Sequence, residues 1–366
     1  MFRKIYLDDP NIGEMEKKFL IKAVDSGFIS TIGPFVSEFE EKFVEYLSVN
    51  KAVSIQSGTA AIHIALYELG IGEGDEVIVP ALTFVATVNP VIYVGATPVF
   101  VDVDIKTWNI DPLKIENAIT EKTKAIIPVH LYGNPCDMGE IMKLAQKYNL
   151  FVVEDATESL GAKFNERFTG TIGTLGCFSF NGNKTITTGG GGMVVGSDEQ
   201  RLAHIKFLVN QARDDSKGYY HPEVGFNYRM TNIASALGMA QMERLKELLA
   251  KKKILNMIYR NELTGVEGLS FQEEYKGAES SCWFTSCLLR SETDMLSLQK
   301  RLYQRGIPTR RVFMPIAEFP PYRKARRDEL RNTYAIYGRG LCLASSTLNT
   351  EEQIYRACEI IKEAVL

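Results

Sequence analysis

The chain has 366 residues, enough for roughly two domains with substantial cores. Hydrophobic residues make up 45% and charged residues 24%, and 42 Lys and Arg against 45 Asp and Glu leave a net charge of −3, which argues against nucleic acid as a main partner. The opening MFRKIYLDDPNIGEM has no apolar segment of signal-peptide type and no later stretch is long enough to span a bilayer, so a cytoplasmic chain without a membrane partner is expected.

From about residue 50, strand-like and helix-like segments alternate. AVSIQSG leads into TAAIHIALYELG, where Ile62, Leu66 and Leu69 recur at helical spacing. DEVIVPA, TPVFVDVD, AIIPVHLYG and FVVEDA follow, short β-branched runs of the kind buried on both faces of a sheet. Between them FVATVNPVIYVG, DPLKIENAIT and MGEIMKLAQKYN read as helices, which predicts an α/β fold with a mainly parallel sheet and right-handed crossovers. Beyond FVVEDA, GAKFNERFTG predicts a hairpin around Asn165, and GCFSF and GGMVVG two more strands. A long amphipathic helix starts near residue 235, and the remainder reads as a smaller α+β unit. The expected division is a large domain over residues 1–240 and a helical connection with a small C-terminal domain over 241–366. The six cysteines (Cys136, Cys177, Cys282, Cys287, Cys342, Cys358) form no CxxC pair and read as buried reduced thiols. Four histidines without HxH or HExxH spacing give no sign of a dedicated metal site.

In open parallel sheets, ligands gather beyond the carboxyl ends of the strands. The first such end offers Ser57-Gly58-Thr59 before a helix: an anion site made of free N–H groups and a hydroxyl, or simply a helix cap. FVVEDA ends in Asp155 beside Glu154. A carboxylate there is either an ion-pair or capping group, or a fixed anion beneath a cationic ligand atom. Phe84 in LTFVATVN is either a core residue or a stacking face for a flat ring. In FSFNGNKTITTGGGGMV, Lys184 precedes four glycines but lacks the spacing of a nucleotide-binding P-loop, since Asn183 and Phe178 stand where glycines are needed. Burial disfavours an ammonium ion, so a lysine amine in a partly desolvated pocket becomes a usable nucleophile that forms Schiff bases with carbonyl compounds. A phosphate anchor, a stacking ring, a buried aspartate and a nucleophilic lysine together fit pyridoxal 5'-phosphate. Lys184 meets its aldehyde, Asp155 its ring nitrogen, and Gly58, Thr59 and the Ser179 hydroxyl its phosphate. The glycines leave the lysine room to move.

Over nearly its whole length the sequence resembles the sugar-nucleotide aminotransferases of the DegT/StrS type, fold-type-I enzymes that use pyridoxal phosphate. The likeness rests on GPFVSEFEEKF, SGTAAIHIAL, PALTFVATVNPV, PVFVDVD, PVHLYGN, EDATESLGA, GCFSFNGNKTITTGGGGMV and GFNYRMTNIASALGMAQMERL. It implies Lys184 at the Schiff-base position, Asp155 as pyridinium partner, Phe84 as stacking ring, and Thr59, Gly58 and Ser179 as phosphate ligands. It further implies that Asn227 reaches the phosphate of the other subunit in a homodimer with shared sites. Glu158 stands where many members carry glutamine beside the ring hydroxyl. Ser30, Arg229, Arg310 and Arg311 are candidate substrate contacts, the two adjacent arginines for a phosphate or a donor carboxylate.

Within the family, NGNK, HLYGN and NQARD most resemble enzymes acting on UDP-linked 4-keto-6-deoxy-N-acetylhexosamines, whereas IPTRRVFMPI departs from their usual pattern. The reading is amino transfer from L-glutamate to C4 of such a sugar. The alternatives are a dTDP- or GDP-linked keto-sugar as acceptor, or a pyridoxal-phosphate-binding protein without turnover. Lys184 argues against a family dehydratase, which carries histidine in its place.

Overall fold

Two helices precede the first strand, α1 (Glu14–Asp25) and α2 (Pro34–Leu47). Pro34 opens α2, where its missing N–H costs no bond, and Ser48 closes it in the left-handed region. The structure, a computed structural model, describes residues 4–290 and 293–365. The predicted alternation follows: β1 (Lys51–Ile55), α3 (Gly58–Glu68), β2 (Glu76–Pro80), α4 (Val85–Tyr93), β3 (Thr97–Val101), α5 (Pro112–Ala118), β4 (Thr123–Ile126), α6 (Met138–Tyr148) and β5 (Phe151–Asp155). In β1, β2, β3 and β5 every residue after the first is buried, because helices cover both faces. The expected hairpin joins β6 (Lys163–Phe164) and β7 (Arg167–Phe168) through Asn165 and Glu166, both at positive φ as a two-residue primed turn requires.

With β8 (Leu175–Ser179) and β9 (Gly192–Gly196) the main sheet has the order β1-β9-β8-β5-β4-β2-β3. Only β9 runs against its neighbours; the remaining pairs are parallel. Six strands therefore point their carboxyl ends to one edge. Behind the sheet, Phe39, Phe43, Phe178 and Phe180 pack edge to face with ring centres 5.1–6.1 Å apart. Truncating one such fully buried ring to alanine costs about 3–5 kcal/mol.

After α7 (Glu199–Leu208) the 32-residue α8 (Asn232–Leu263) leaves the sheet, capped by the Thr231 side chain, which accepts from Ala234 N–H. Positions 240 and 241 both lie inside this helix. The remaining elements are β10 (Ser270–Phe271), β11 (Ala278–Glu279), β12 (Ser286–Leu288), α9 (Met295–Gln304), β13 (Arg310–Arg311), α10 (Arg331–Arg339), β14 (Gly340–Cys342) and α11 (Glu351–Val365). Four of these strands form an antiparallel sheet, β10-β12-β14-β13, while β11 pairs with β6. Ile5, near the start of the chain, packs with Leu255, Leu298 and Ile354 of this C-terminal unit, and Tyr6 exchanges hydrogen bonds with the Asn349 side chain.

Candidate active site

The carboxyl ends of β1, β2, β5 and β8 border a cleft of about 440 Å³, closed from the far side by Trp283, Arg310 and Phe313 of the C-terminal unit. At the first strand end the helix-cap reading is met, and free donors remain beside the cap. Ser57 caps α3 by accepting from Ala60 N–H at 3.1 Å, while Gly58 and Thr59 form the first turn with N–H groups that no helical carbonyl can meet. A Cβ on Gly58 would lie 2.8 Å from Ser179 Cβ, so only glycine lets α3 start this close to β8.

Glu154 and Asp155 alternate across β5 and face different surroundings. Glu154 is wholly buried and saturated: Oε1 accepts from Ile172 N–H at 2.6 Å and Gly173 N–H at 2.5 Å, and Oε2 from Gly170 N–H at 2.8 Å. His130 Nδ1 accepts from Cys136 N–H, so its proton sits on Nε2 and is donated to Glu154 Oε2 at 3.0 Å. Asp155 lines the cleft. Its Oδ2 accepts from Thr87 Oγ1 at 2.7 Å and its Oδ1 from Thr157 N–H at 3.1 Å, with Thr83 backing Thr87 at 2.8 Å. A carboxylate offers about four acceptor positions, so Asp155 can take a further donor from the cleft.

Lys184 Nζ lies 4.0 Å from the centre of the Trp283 indole and 3.6 Å from Glu158 Oε1. Trp283 is held by its own N–H, which donates to Asn183 C=O at 2.7 Å. Glu158 is buried, and its Oε2 accepts from Tyr132 N–H at 2.9 Å. Burial pushes the Glu158 carboxyl above the ordinary glutamate range, and the Lys184 charge opposes that rise. Phe84 is 54% exposed, an aromatic face turned to the cleft with its ring centre 5.6 Å from that of Phe313. Ser179 also lines the cleft.

The expectation that the glycine run gives Lys184 room is met by two of its four glycines and not by the other two. A Cβ on Gly192 would come within 2.7 Å of the Ser57 backbone and of Phe178 C=O, and one on Gly191 within 2.4 Å of Met230 Cε. These two glycines are demanded by packing. Gly189 and Gly190 have no neighbour within 4 Å and leave free space, and Gly190 also lines the cleft.

The four candidate substrate contacts separate. Arg310 lines the cleft, its guanidinium carbon 4.4 Å from the Phe284 ring centre. Arg311 is turned away: it donates to Tyr337 C=O and lies over the Tyr337 ring, so the structure does not bring it to the cleft. Ser30 is exposed and accepts from Asn232 N–H through its carbonyl. Arg229 sits on the segment alongside β1, and Asn227 is exposed and bridged to Asn210. Neither reaches the cleft within one chain. Sequence reasoning did not single out Trp283, Thr87 or Phe313. A tryptophan, one of two in the chain, beside Phe284 was the available signal for the first; Thr87 stood one helical turn beyond Phe84.

The chain is 41% identical over 355 residues to the GDP-perosamine synthase of Escherichia coli O157:H7, covering 97% of this chain and 96% of that one. To the GDP-perosamine synthase of Caulobacter vibrioides it is 39% identical, with 99% of each covered. Among solved structures, the PLP-form of a putative sugar aminotransferase, Spr1654 from Streptococcus pneumoniae, superposes with a TM-score of 0.94 at 27% identity over 99% of each chain. The model of the DegT/DnrJ/EryC1/StrS aminotransferase family matches residues 10–362, and the chain belongs to that family.

Proposed function

We propose that this sugar aminotransferase moves the amino group of L-glutamate to C4 of a GDP-linked 4-keto-6-deoxy sugar. The cofactor of the family is pyridoxal phosphate, and the residues present fit it. The start of α3 offers N–H groups and the Thr59 hydroxyl, Asp155 has acceptor capacity to spare, Phe84 presents an exposed face, and Lys184 lies among them. When bound, the cofactor supplies an aldehyde for amine exchange and an electron-withdrawing ring. Lys184 would be the amine that holds it and the base for the proton at the reacting carbon. Asp155 would hold the protonated ring nitrogen through a charge-assisted hydrogen bond, and Thr87 fixes that carboxylate. Glu158 Oε1 stands beside Nζ as a proton partner.

The observation that carries the reading is Lys184 and Asp155 lining one cleft with the start of α3. The choice of nucleotide rests on the relatives. Three are named GDP-perosamine synthases, at 41%, 39% and 36% identity, and they favour a GDP-linked acceptor over the UDP-linked N-acetylhexosamine expected from the sequence. Comparing kcat/KM across GDP-, UDP- and dTDP-linked 4-keto-6-deoxy sugars with L-glutamate tests it. Faster turnover of the UDP-linked acetamido sugar would overturn the acceptor and leave the transamination standing.

We also infer a homodimer that shares its sites. Phe28, Ile29, Ile32 and Val224 are 49%, 54%, 64% and 71% exposed, on segments tied together by Asn232, which donates to Phe28 C=O and accepts from Phe35 N–H. Tyr228 C=O accepts from Gln56 N–H next to the cleft, so this surface runs on to the cleft mouth. Asn227, Arg229 and Ser30 belong to this surface and would complete the partner's site. Mixing inactive Lys184→Ala and Asn227→Ala proteins should restore activity in heterodimers; no recovery despite subunit exchange would remove Asn227 from any shared site.

A further inference from the structure

We propose that Tyr132 is a positioning residue for Lys184, fixing both the Glu158 carboxyl and the Trp283 indole against the amine; this rests on the aminotransferase reading above. Tyr132 is 1% exposed and stands behind the residues that line the cleft. Its N–H donates to Glu158 Oε2 at 2.9 Å, and Glu158 Oε1 lies 3.6 Å from Lys184 Nζ. Its ring stacks with the Trp283 indole, 28° from parallel with centres 6.3 Å apart, and Lys184 Nζ lies 4.0 Å from the centre of that indole. The same ring lies 5.4 Å from that of Phe313, 25° from parallel, and the Tyr132 hydroxyl accepts from Phe313 N–H at 3.0 Å. One residue therefore touches the carboxyl beside Lys184 and both aromatic side chains that the C-terminal unit brings to the cleft.

The backbone is strained to reach these partners together. Tyr132 has φ 57° and ψ 21°, the left-handed region that a bulky side chain rarely adopts. Such strain persists only where the surroundings over-determine it, and it collects at functional sites. Here Tyr132 C=O accepts from Phe284 N–H at 3.3 Å and Gly133 C=O from Ser281 N–H at 3.0 Å. A Cβ on Gly133 would come within 2.9 Å of Trp283 N, so the turn is clamped onto the segment that carries Trp283. A residue that only filled the core could be any large apolar ring. At Tyr132 the hydroxyl and the left-handed amide are both used, and both lead to residues that line the cleft, Phe313 and Glu158.

The test uses Tyr132→Phe, which removes only the hydroxyl, and Tyr132→Asn, which removes the ring while asparagine tolerates the left-handed turn. Each is made in the parent and in Glu158→Gln, with Tm as the check on folding. The first measurement is the rate at which acetic anhydride acylates Lys184 in cofactor-free protein, read by peptide mass spectrometry relative to the exposed lysines. The second is kcat and KM for L-glutamate in cofactor-loaded protein, with a GDP-linked 4-keto-6-deoxy sugar as acceptor. Tyr132→Asn should speed acylation about three- to tenfold as the carboxyl drifts from the amine. It should lower kcat about 10- to 100-fold with KM within about threefold, the signature of a misplaced reacting group. Tyr132→Phe should move both in the same direction by about two- to threefold. In Glu158→Gln the effect of Tyr132→Asn on acylation should shrink below about twofold, because the carboxylate through which it acts is gone. A lower Tm with acylation and kcat per folded molecule unchanged would overturn the proposal. So would an acylation effect as large in Glu158→Gln as in the parent, since Tyr132 would then only shield the amine. If Tyr132→Asn does not fold, Tyr132→Phe decides both comparisons. If the parent does not react with glutamate, the aminotransferase reading falls, and acylation still decides whether Tyr132 positions Glu158 against Lys184.

Discussion

The two faces of β5 carry neighbouring carboxylates with opposite fates. On one face Glu154 is enclosed by three backbone N–H groups and the His130 imidazole, a closed shell that no ligand enters. On the other, Asp155 is met by one threonine hydroxyl and one N–H and opens on the cleft. Burial is nearly the same, 0% exposed against 3%. What separates the enclosed carboxylate from the one open to a ligand is unmet acceptor capacity on the side that faces a cavity.

The sharpest way to break this contrast is Asp155→Asn, which keeps shape and removes charge. It should fold and bind some cofactor, yet lose about 4 kcal/mol or more of transition-state stabilisation, near a thousandfold in kcat/KM. Near-normal turnover would mean another group serves the ring nitrogen. The mirror substitution, Glu154→Gln, turns an NH2 group toward donors. A stability loss of about 2–4 kcal/mol is expected, seen as a lower Tm, with the specific activity of the folded fraction within a few-fold of the parent. A catalytic collapse at unchanged Tm would erase the distinction drawn between the faces.

Smaller effects sharpen it. Thr87→Val removes the hydroxyl that fixes Asp155 Oδ2, and a drop in kcat of about tenfold is expected from losing one charge-assisted bond; an unchanged kcat would mean Thr157 N–H holds the carboxylate unaided. The smallest effect belongs to Glu158→Gln. Burial raises the Glu158 carboxyl above 4.5, so the stability that its protonated form allows is complete below that value and is lost as pH rises through the raised range. The variant should lack this decline in a Tm-against-pH series and be the more stable protein near neutrality. Identical series would show that Lys184 cancels the cost of burial.

Much of this was legible in the chain because it is local. The β-branched runs give the strands, and strand ends give Gly58, Thr59, Phe84 and Asp155 by the rule that ligands collect there. Lys184 was visible because a cation in a stripped backbone is unusual, although two of the four glycines turned out to answer to Ser57 and Met230. Trp283 and Arg310 were harder. They come from the second sheet, about a hundred residues downstream, and nothing in the spacing of CWFTSCLLR or IPTRRVF states which large-domain loop they will face. Arg310 and Arg311 are equivalent on paper; only the strand alternation of β13 sends one to the cleft and the other to Tyr337. Asn227 and Ser30 are exposed and lie outside the cleft of one chain, on the surface proposed above to meet a second copy.

The bond from Trp283 to the carbonyl of Asn183, one residue before Lys184, also bears on assembly. It spans 100 positions of sequence, and contacts of such separation form late because the intervening loop must first be closed. During synthesis the large sheet can be complete while the cleft still lacks its far wall, which arrives only when the last third of the chain docks. A ligand that prefers the finished cleft then stabilises the finished chain by mass action, so the cofactor should act as a check on completeness, retained by whole molecules and released by those in which the final strands are missing or misplaced.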